Sequence, residues 1–305
     1  MNATTQFFTS TIQASLRCDP WSDEMLTLWV PIVFYWVYSI SFHFLMKAEI
    51  PFFEKYRIHT SSDMEKRNRV SITKVLYMVA FQQVIQVILG IIVFRPVDQN
   101  LLAIQQVRSI RFLTDAAFNL LTKFTQSSDM IFKIASSIAS IIYWGIIPAF
   151  QFVSAMVIMD AHQYFFHRLF HVNKFLYRHI HSHHHRLYVP YAFGALYNHP
   201  VEGFMLDSVG ATLAVEITRM SPRLSMIFFT FSTLKTVDDH CGYALPWDPL
   251  QFLFGNNVEY HDIHHQPYGI KKNFSQPFFT IWDKFFGTEL SVQQVKASRK
   301  TKKVE

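Results

Sequence analysis

Apolar and polar positions fall along this chain in long blocks rather than in short amphipathic periods. Leu26–Met46 (LTLWVPIVFYWVYSISFHFLM) has His43 as its one potentially ionisable group apart from tyrosines. A membrane-spanning helix needs about 20 such residues, so the stretch predicts one. Ile72–Phe94 predicts a second, although it carries Lys74, Gln82, Gln83 and Gln86. Ile138–Met159 predicts a third, since Pro148 is tolerable inside a packed bundle. Two shorter apolar stretches, 201–218 and 222–237, flank Ser221-Pro222 and predict a helical hairpin. FLTDAAFNLL (112–121) predicts a short amphipathic helix. The expected fold is all-α: a polytopic membrane helical bundle of about four spanning helices, part of it as the short hairpin.

Charge orients the bundle. Segment 47–70 carries six Lys/Arg, whereas the longer segment 95–137 carries five, which marks the former as cytosolic. Residues 1–25 are then lumenal, 26–160 hold the transmembrane helices and their loops, and 161–290 form a cytosolic domain that includes the membrane hairpin 201–237. Residues 1–25 contain Arg17, Asp19, Asp23 and Glu24, the wrong order of charge and apolarity for a cleavable signal peptide. The basic tail 291–305 ends in Lys302-Lys303-Val304-Glu305, which resembles the dilysine retrieval signal of endoplasmic-reticulum membrane proteins. Only 16% of the 305 residues are charged, below the quarter or so usual in a soluble domain. The net charge of +6 sits in short segments, which suits a cytosolic membrane face rather than a nucleic-acid-binding stripe. Two cysteines, Cys18 and Cys241, are too few for a disulfide framework.

Thirteen of the fifteen histidines fall between positions 162 and 265, and among them one spacing occurs twice. His181-x-x-His184-His185 and His261-x-x-His264-His265 each place three imidazoles along one helical face. His179 and His183 belong to no repeated pattern and are expected not to be ligands. His162 and His167 form a third element, about 140° apart on a regular helix, so they bind different metals or require a local distortion. Asp160 shares a face with His167 and is a candidate partner for a ring N–H, as is Asp239 beside His240. His240, a lone histidine that would ordinarily be structural, follows the hairpin that returns to the side of the triplets, which shifts it towards a ligand; His199 is a ligand or a donor to one. His43 and His59 read as an interfacial residue and an exposed loop residue. Structural zinc would use four ligands, usually with cysteine among them. Two triplets and a pair exceed that, so two ions are expected.

Imidazole suits zinc, copper, iron and nickel. No His-Glu-x-x-His element supplies the base a hydrolytic zinc site would use. Iron can reduce O₂ and attack an unactivated C–H bond, and the electrons must come from another protein, because no dinucleotide fingerprint, haem-attachment motif or cysteine cluster is present. The order H-x4-H, H-x2-HH, H-x2-HH resembles the fatty acid hydroxylase / sterol desaturase superfamily of endoplasmic-reticulum di-iron enzymes. DAHQYFFHRLFH (160–171), KFLYRHIHSHHHRLYVPYAFGALYNHPVEG (174–203), KTVDDHCGY (235–243) and YHDIHHQPYGIKKNFSQPFFTIWDKFFGT (260–288) are similar, within it, to the sphinganine C4-hydroxylase (sphingoid base hydroxylase) group.

The resemblance implies His162 and His167 as the first box, His181, His184 and His185 as the second, His261, His264 and His265 as the last, and His240 as an additional ligand. It further implies a di-iron centre, O₂ as co-substrate, and C4 hydroxylation of dihydrosphingosine or dihydroceramide. Electrons would pass from NAD(P)H through cytochrome b5 and its reductase. Tyr188, Tyr191, Tyr197 and Asn198 are candidates to bind the lipid head group, and 274–286 is either an interfacial lid helix or plain core packing. Segment 96–137 is longer and more polar than the family leads one to expect. The rival readings are a sterol C4-methyl oxidase or C5-desaturase of the same superfamily and, in another class, a histidine-rich membrane metal transporter.

Overall fold

The computed structural model describes residues 19–93, 98–124 and 128–301. The dilysine tail and most of the N-terminal segment lie outside the described residues. Helices dominate, and among the described residues there is no β-strand, only an isolated bridge between Arg57 and Tyr243. Three helices are long and apolar enough to cross a membrane.

Helix α1 (Asp23–Ala48) begins where Ser22 Oγ accepts the Met25 N–H and Asp23 and Glu24 complement the helix dipole. One stripe, with Thr27, Tyr35, Ser39, Phe42 and Met46, is buried, while Val33, Val37 and Phe44 are exposed, as lipid-facing positions should be. Polar atoms on the buried side find partners, because an unsatisfied one is costly in a bilayer: Tyr35 Oη donates to Phe193 O at 2.7 Å and Trp36 Nε1 to Gln83 Oε1 at 2.8 Å. The glutamines of α2 (Ile72–Val93) thus face the interior, and they do not weaken the span.

Helix α3 (Gln99–Leu121) is more than twice as long as the amphipathic segment read from sequence. Asp98 starts it early by accepting the Asn100 and Leu101 N–H groups. It packs along α4 (Ser128–Ile141). From α4 the chain continues through a π turn (Ile142–Ile146) into α5 (Ile147–Val172). The wide turn, with Ile147 N–H donating to Ile142 O, precedes Pro148, whose ring would otherwise clash with the carbonyl four residues back. The third predicted span therefore does not stop at Met159. The helix runs 44 residues, Asp129–Val172, about 66 Å at 1.5 Å per residue, and exceeds a bilayer about 40–45 Å thick including its headgroups. Its last turns carry histidines beyond the apolar region.

Two helices follow, α6 (Gly210–Thr218) and α7 (Pro222–Asp239), joined at Arg219 in the left-handed region and Ser221, which caps Leu224. Neither arm has the length and apolarity of a span. Instead α6 packs on α5, and α7 packs on α1. Beyond them lies the polar end of the molecule: 3-10 turns over His181–Arg186 and Ala192–Leu196, α8 (Val258–His265) capped by Asn257, and the segment that follows it. Segment 274–286 is largely core packing, with Phe278 fully buried among Phe228, Phe231 and Phe254. Asp283 fixes it by accepting the Phe274 and Ser275 N–H groups.

After α8 the chain turns back so tightly that a Cβ on Gly269 would stand 1.8 Å from Ile263 O, a backbone atom that cannot step aside. Gly269→Ala is expected to cost about 1–3 kcal/mol through overpacking and to lower the melting temperature. Gly145→Ala, inside a helix where nothing lies within 4 Å, should not lower it; equal melting temperatures for both variants would contradict this packing.

Candidate metal centre

Nine imidazoles converge in two groups. His167, His171, His181, His185 and His264 form one, and His184, His240, His261 and His265 the other, with the ligand atoms of each group within 4.8 Å of one another. All nine residues are buried. The two H-x2-HH words are shared between the groups in opposite senses. His181 and His185 go to the first and His184 to the second; His261 and His265 go to the second and His264 to the first. On a regular helix such as α8, positions i and i+4 lie about 40° apart, while i+3 falls about 60° to the other side. One triplet therefore faces two neighbouring points.

Ring tautomers are set from outside the groups. Nδ1 of His167 donates to Phe274 O (2.8 Å), that of His240 to Thr236 O (2.8 Å), that of His264 to Lys272 O (2.7 Å) and that of His265 to Leu187 O (2.8 Å). His184 Nδ1 reaches Tyr197 O at 3.2 Å, and His181 Nδ1 donates to Glu202 Oε1 at 2.5 Å. With those protons outside, the Nε2 lone pairs of these six rings point inward. Nε2 atoms within the groups sit 3.2 Å apart for His167 and His181, 3.1 Å for His171 and His264, 3.0 Å for His185 and His181, 3.0 Å for His261 and His240, and 3.1 Å for His265 and His261. Lone pairs so close repel unless a cation lies among them. Two nitrogens each about 2.1 Å from one ion and at right angles are about 3.0 Å apart. The donor sets fit two metal ions.

Sequence reasoning missed His171. Its signal was present: it lies four residues after His167 on α5, on the same face, whereas His162 lies about 140° away. The structure does not bring His162 to either group. Its Nε2 hydrogen-bonds Met205 O at 2.8 Å, its ring lies on Phe166, and Gly210 packs closely against it. His199 is also apart, accepting the Val201 N–H at Nδ1 at the start of the turn Pro200–Gly203. His179 and His183 stay outside both groups. His59 is not a free loop residue; it pairs with Asp262 at 2.8 Å, between the ligands of α8.

Neither predicted acidic partner meets an imidazole. Asp160 accepts the Phe278 and Phe279 N–H groups, tying α5 to the segment after α8. Asp239 pairs with Lys235 and with Asn256 Nδ2. Glu202 takes that place at His181. Of the head-group candidates, Tyr188 lies against Arg69, Tyr197 supplies a carbonyl to His184, and Asn198 approaches Asp207 at 3.5 Å. Tyr191 and Tyr197 bury their hydroxyls without a partner among the described residues.

Beside the histidines lies a small polar pocket, lined in part by His167, His181, His184, His240 and His261. A much larger cavity of about 1170 Å³, bounded by α1, α2, α6 and α7, meets it at Gln163, Asp207 and Thr236. Ligand pockets commonly measure about 300–1,000 Å³, so the cavity has room for a long aliphatic molecule.

Residues 152–288, which contain all nine clustered histidines, match the fatty acid hydroxylase family. Sphingolipid C4-hydroxylase sur2 of Schizosaccharomyces pombe is 48% identical over 274 residues, 88% of this chain and 89% of that protein. The chain belongs to the fatty acid hydroxylase family. Two other relatives are sphinganine C4-monooxygenase 2 of Arabidopsis thaliana, 44% identical over 88% of this chain and 89% of its own, and very-long-chain aldehyde decarbonylase GL1-9 of Oryza sativa subsp. japonica, 42% identical over 91% and 94%. No solved structure matches the chain. In this member of the family, the first histidine pair drawn together is therefore His167 and His171.

Two measurements test the arrangement. His171→Ala should lose roughly one metal ion per chain by elemental analysis, while His162→Ala keeps its full content; the reverse result would reassign the pair. The second concerns acid. Burial pushes the His184 ring down to about 4 and those of His240 and His264 down to about 3. Above the ordinary imidazole value of about 6.5 folded and unfolded chains are alike neutral there, and below it the unfolded chain takes up protons that the folded one refuses. Melting temperature of the metal-free protein should be flat above about pH 7 and fall steeply as pH drops from about 6.5 towards 4. A flat profile throughout would mean that the rings are hydrated.

Proposed function

We propose that this chain is a membrane di-iron monooxygenase that hydroxylates C4 of a sphingoid base, converting dihydrosphingosine or dihydroceramide to the phytosphingosine form with O₂. The observation that carries the reading is the junction of nine inward-facing imidazoles with a long cavity between membrane helices. The names of relatives similar over nearly the whole chain supply the substrate class. All-histidine donor sets suit iron, and iron bound there supplies the capacity to reduce O₂ and break an unactivated C–H bond.

The protein's own contribution is positional. Carbonyls of residues 187, 197, 236, 272 and 274 hold the Nδ1 protons and so aim the rings. The apolar walls of the cavity, including Leu28, Ile32, Val87 and Phe229, hold the hydrocarbon tail and exclude water from it. Gln163, Asp207 and Thr236 place polar atoms where the head of the lipid passes into the pocket. C4 lies next to the polar carbons C1–C3, so a substrate with its tail in the cavity presents C4 at this junction.

Electrons come from NAD(P)H by way of cytochrome b5 and its reductase, approaching the basic cytosolic face, and the enzyme resides in the endoplasmic-reticulum membrane with its histidines cytosolic. The name of the rice relative supports a second reading, action on a long-chain aldehyde.

Product analysis separates these. Iron-loaded protein, reconstituted with cytochrome b5, its reductase and NADH, should convert dihydrosphingosine or dihydroceramide to the 4-hydroxylated product. It should release no alkane from a long-chain aldehyde and leave methylsterols unaltered. Turnover of aldehyde or sterol alone would sink the proposal.

A further inference from the structure

Asp207 is the carboxyl group of the junction between cavity and pocket, and it is poorly matched by the protein. Gln82 Nε2 and Asn198 Nδ2 both approach its Oδ2, at 3.4 and 3.5 Å, at the long limit of a hydrogen bond. Among the described residues it makes no ion pair. Other carboxyl groups near the site are better served: Asp160 accepts two backbone N–H groups, Asp239 has Lys235, and Asp283 accepts two N–H groups and the Thr288 hydroxyl. Another carboxyl lining the same pocket, Glu202, also keeps Oε2 buried without a partner among the described residues. Acceptors outnumber donors at this point. An uncompensated carboxylate near a membrane interior is expensive and marks a functional site.

Position adds to charge. The cavity follows α7 from Pro222 to Thr236, fourteen residues or about 21 Å at 1.5 Å each. A chain lying along it has its polar end at Asp207 and its tail between the helices. In a sphingoid base the nitrogen on C2 is two carbon–carbon bonds from C4. Anchoring that nitrogen at the junction leaves C4 beside the histidines.

We propose that Asp207 binds the ammonium group of a free long-chain base and thereby makes the protein select free bases over N-acylated ones. An ammonium brings three N–H donors and a positive charge to an acceptor-rich pocket. An amide nitrogen brings one donor, no charge and a second chain. The assignment of a sphingoid substrate rests on the function proposed above; the preference for a cationic head does not.

The test uses purified, metal-loaded full-length protein in detergent. Octadecylamine and octadecanol are titrated while thermal stability is followed, so that turnover is not needed. Wild type should bind the amine about tenfold or more tightly than the alcohol, as loss of one hydrogen bond to a charged group implies. Asp207→Asn should bring the two to near parity with metal content unchanged, and Asp207→Glu should retain the preference. In turnover assays Asp207→Asn should raise KM for the free base about tenfold more than it raises KM for the N-acyl form. Equal binding of amine and alcohol by wild type overturns the proposal, and that measurement needs no variant to fold. A preference that survives in Asp207→Asn also overturns it, and loss of metal from that variant would move the carboxyl group to the metal centre. Failure to hydroxylate either lipid would sink the proposed function, whereas an intact, Asp207-dependent amine preference would still stand.

Discussion

Nine buried imidazoles gathered about two points are the constraint to which the rest of this structure answers. Rings with Nε2 atoms about 3 Å apart cannot hydrogen-bond to one another once the protons lie on Nδ1. Carbonyl oxygens from separate parts of the chain keep five of those protons on the outside, and a cation among the lone pairs would offset the repulsion inside. Residues 187, 197, 272 and 274 thus contribute through their backbone carbonyls. The tight turn at Gly269 belongs to the same requirement, since it brings the Lys272 carbonyl back to His264 on α8.

Membrane and site meet through two unlike solutions. Helix α5 leaves the apolar zone as one continuous rod and delivers His167 and His171 rigidly. The hairpin α6–α7 instead packs against α5 and α1 without the length of a span, and delivers His240 at its returning end. Between them remains the cavity, walled by small or polar side chains of α7 such as Ser225, Ser232 and Thr233. Small residues let helices approach in lipid; here they also leave room for a chain to lie alongside.

The all-α architecture, the first two spans, the break at Ser221-Pro222 and both H-x2-HH words were legible because they depend on local signals: apolar length, a Ser-Pro cap and a repeated spacing. What escaped the sequence depended on where a helix ends. The His162–His167 pair followed from the resemblance to the family's H-x4-H box, although the two lie about 140° apart on a helix; the continuation of α5 to Val172 puts His171 on the same face as His167 and makes those two the matched pair. Expected acidic partners failed for a related reason. Asp160 was placed on the correct face of α5, but a fully buried carboxylate takes the strongest donors within reach, and those were two backbone N–H groups from residue 278 onward. Nothing local to DAHQ specifies that contact. Glu202 became the partner of His181 through a turn that a lone NHPVE word does not determine.

The reciprocal sharing of the triplets has a consequence for how the two positions can vary. Each of the segments His181–Arg186 and Val258–His265 contributes to both groups, so the two groups share their supporting elements. A shift of α8 would misplace His264 in one group and His261 and His265 in the other together. The same rigidity fixes the junction residues Gln163 and Thr236, which sit four residues from His167 and His240 on the helices that carry or lead into those ligands. The reacting end of a bound chain and the metal-binding rings are therefore held by common elements, and their relative position is a property of helix geometry rather than of flexible side chains.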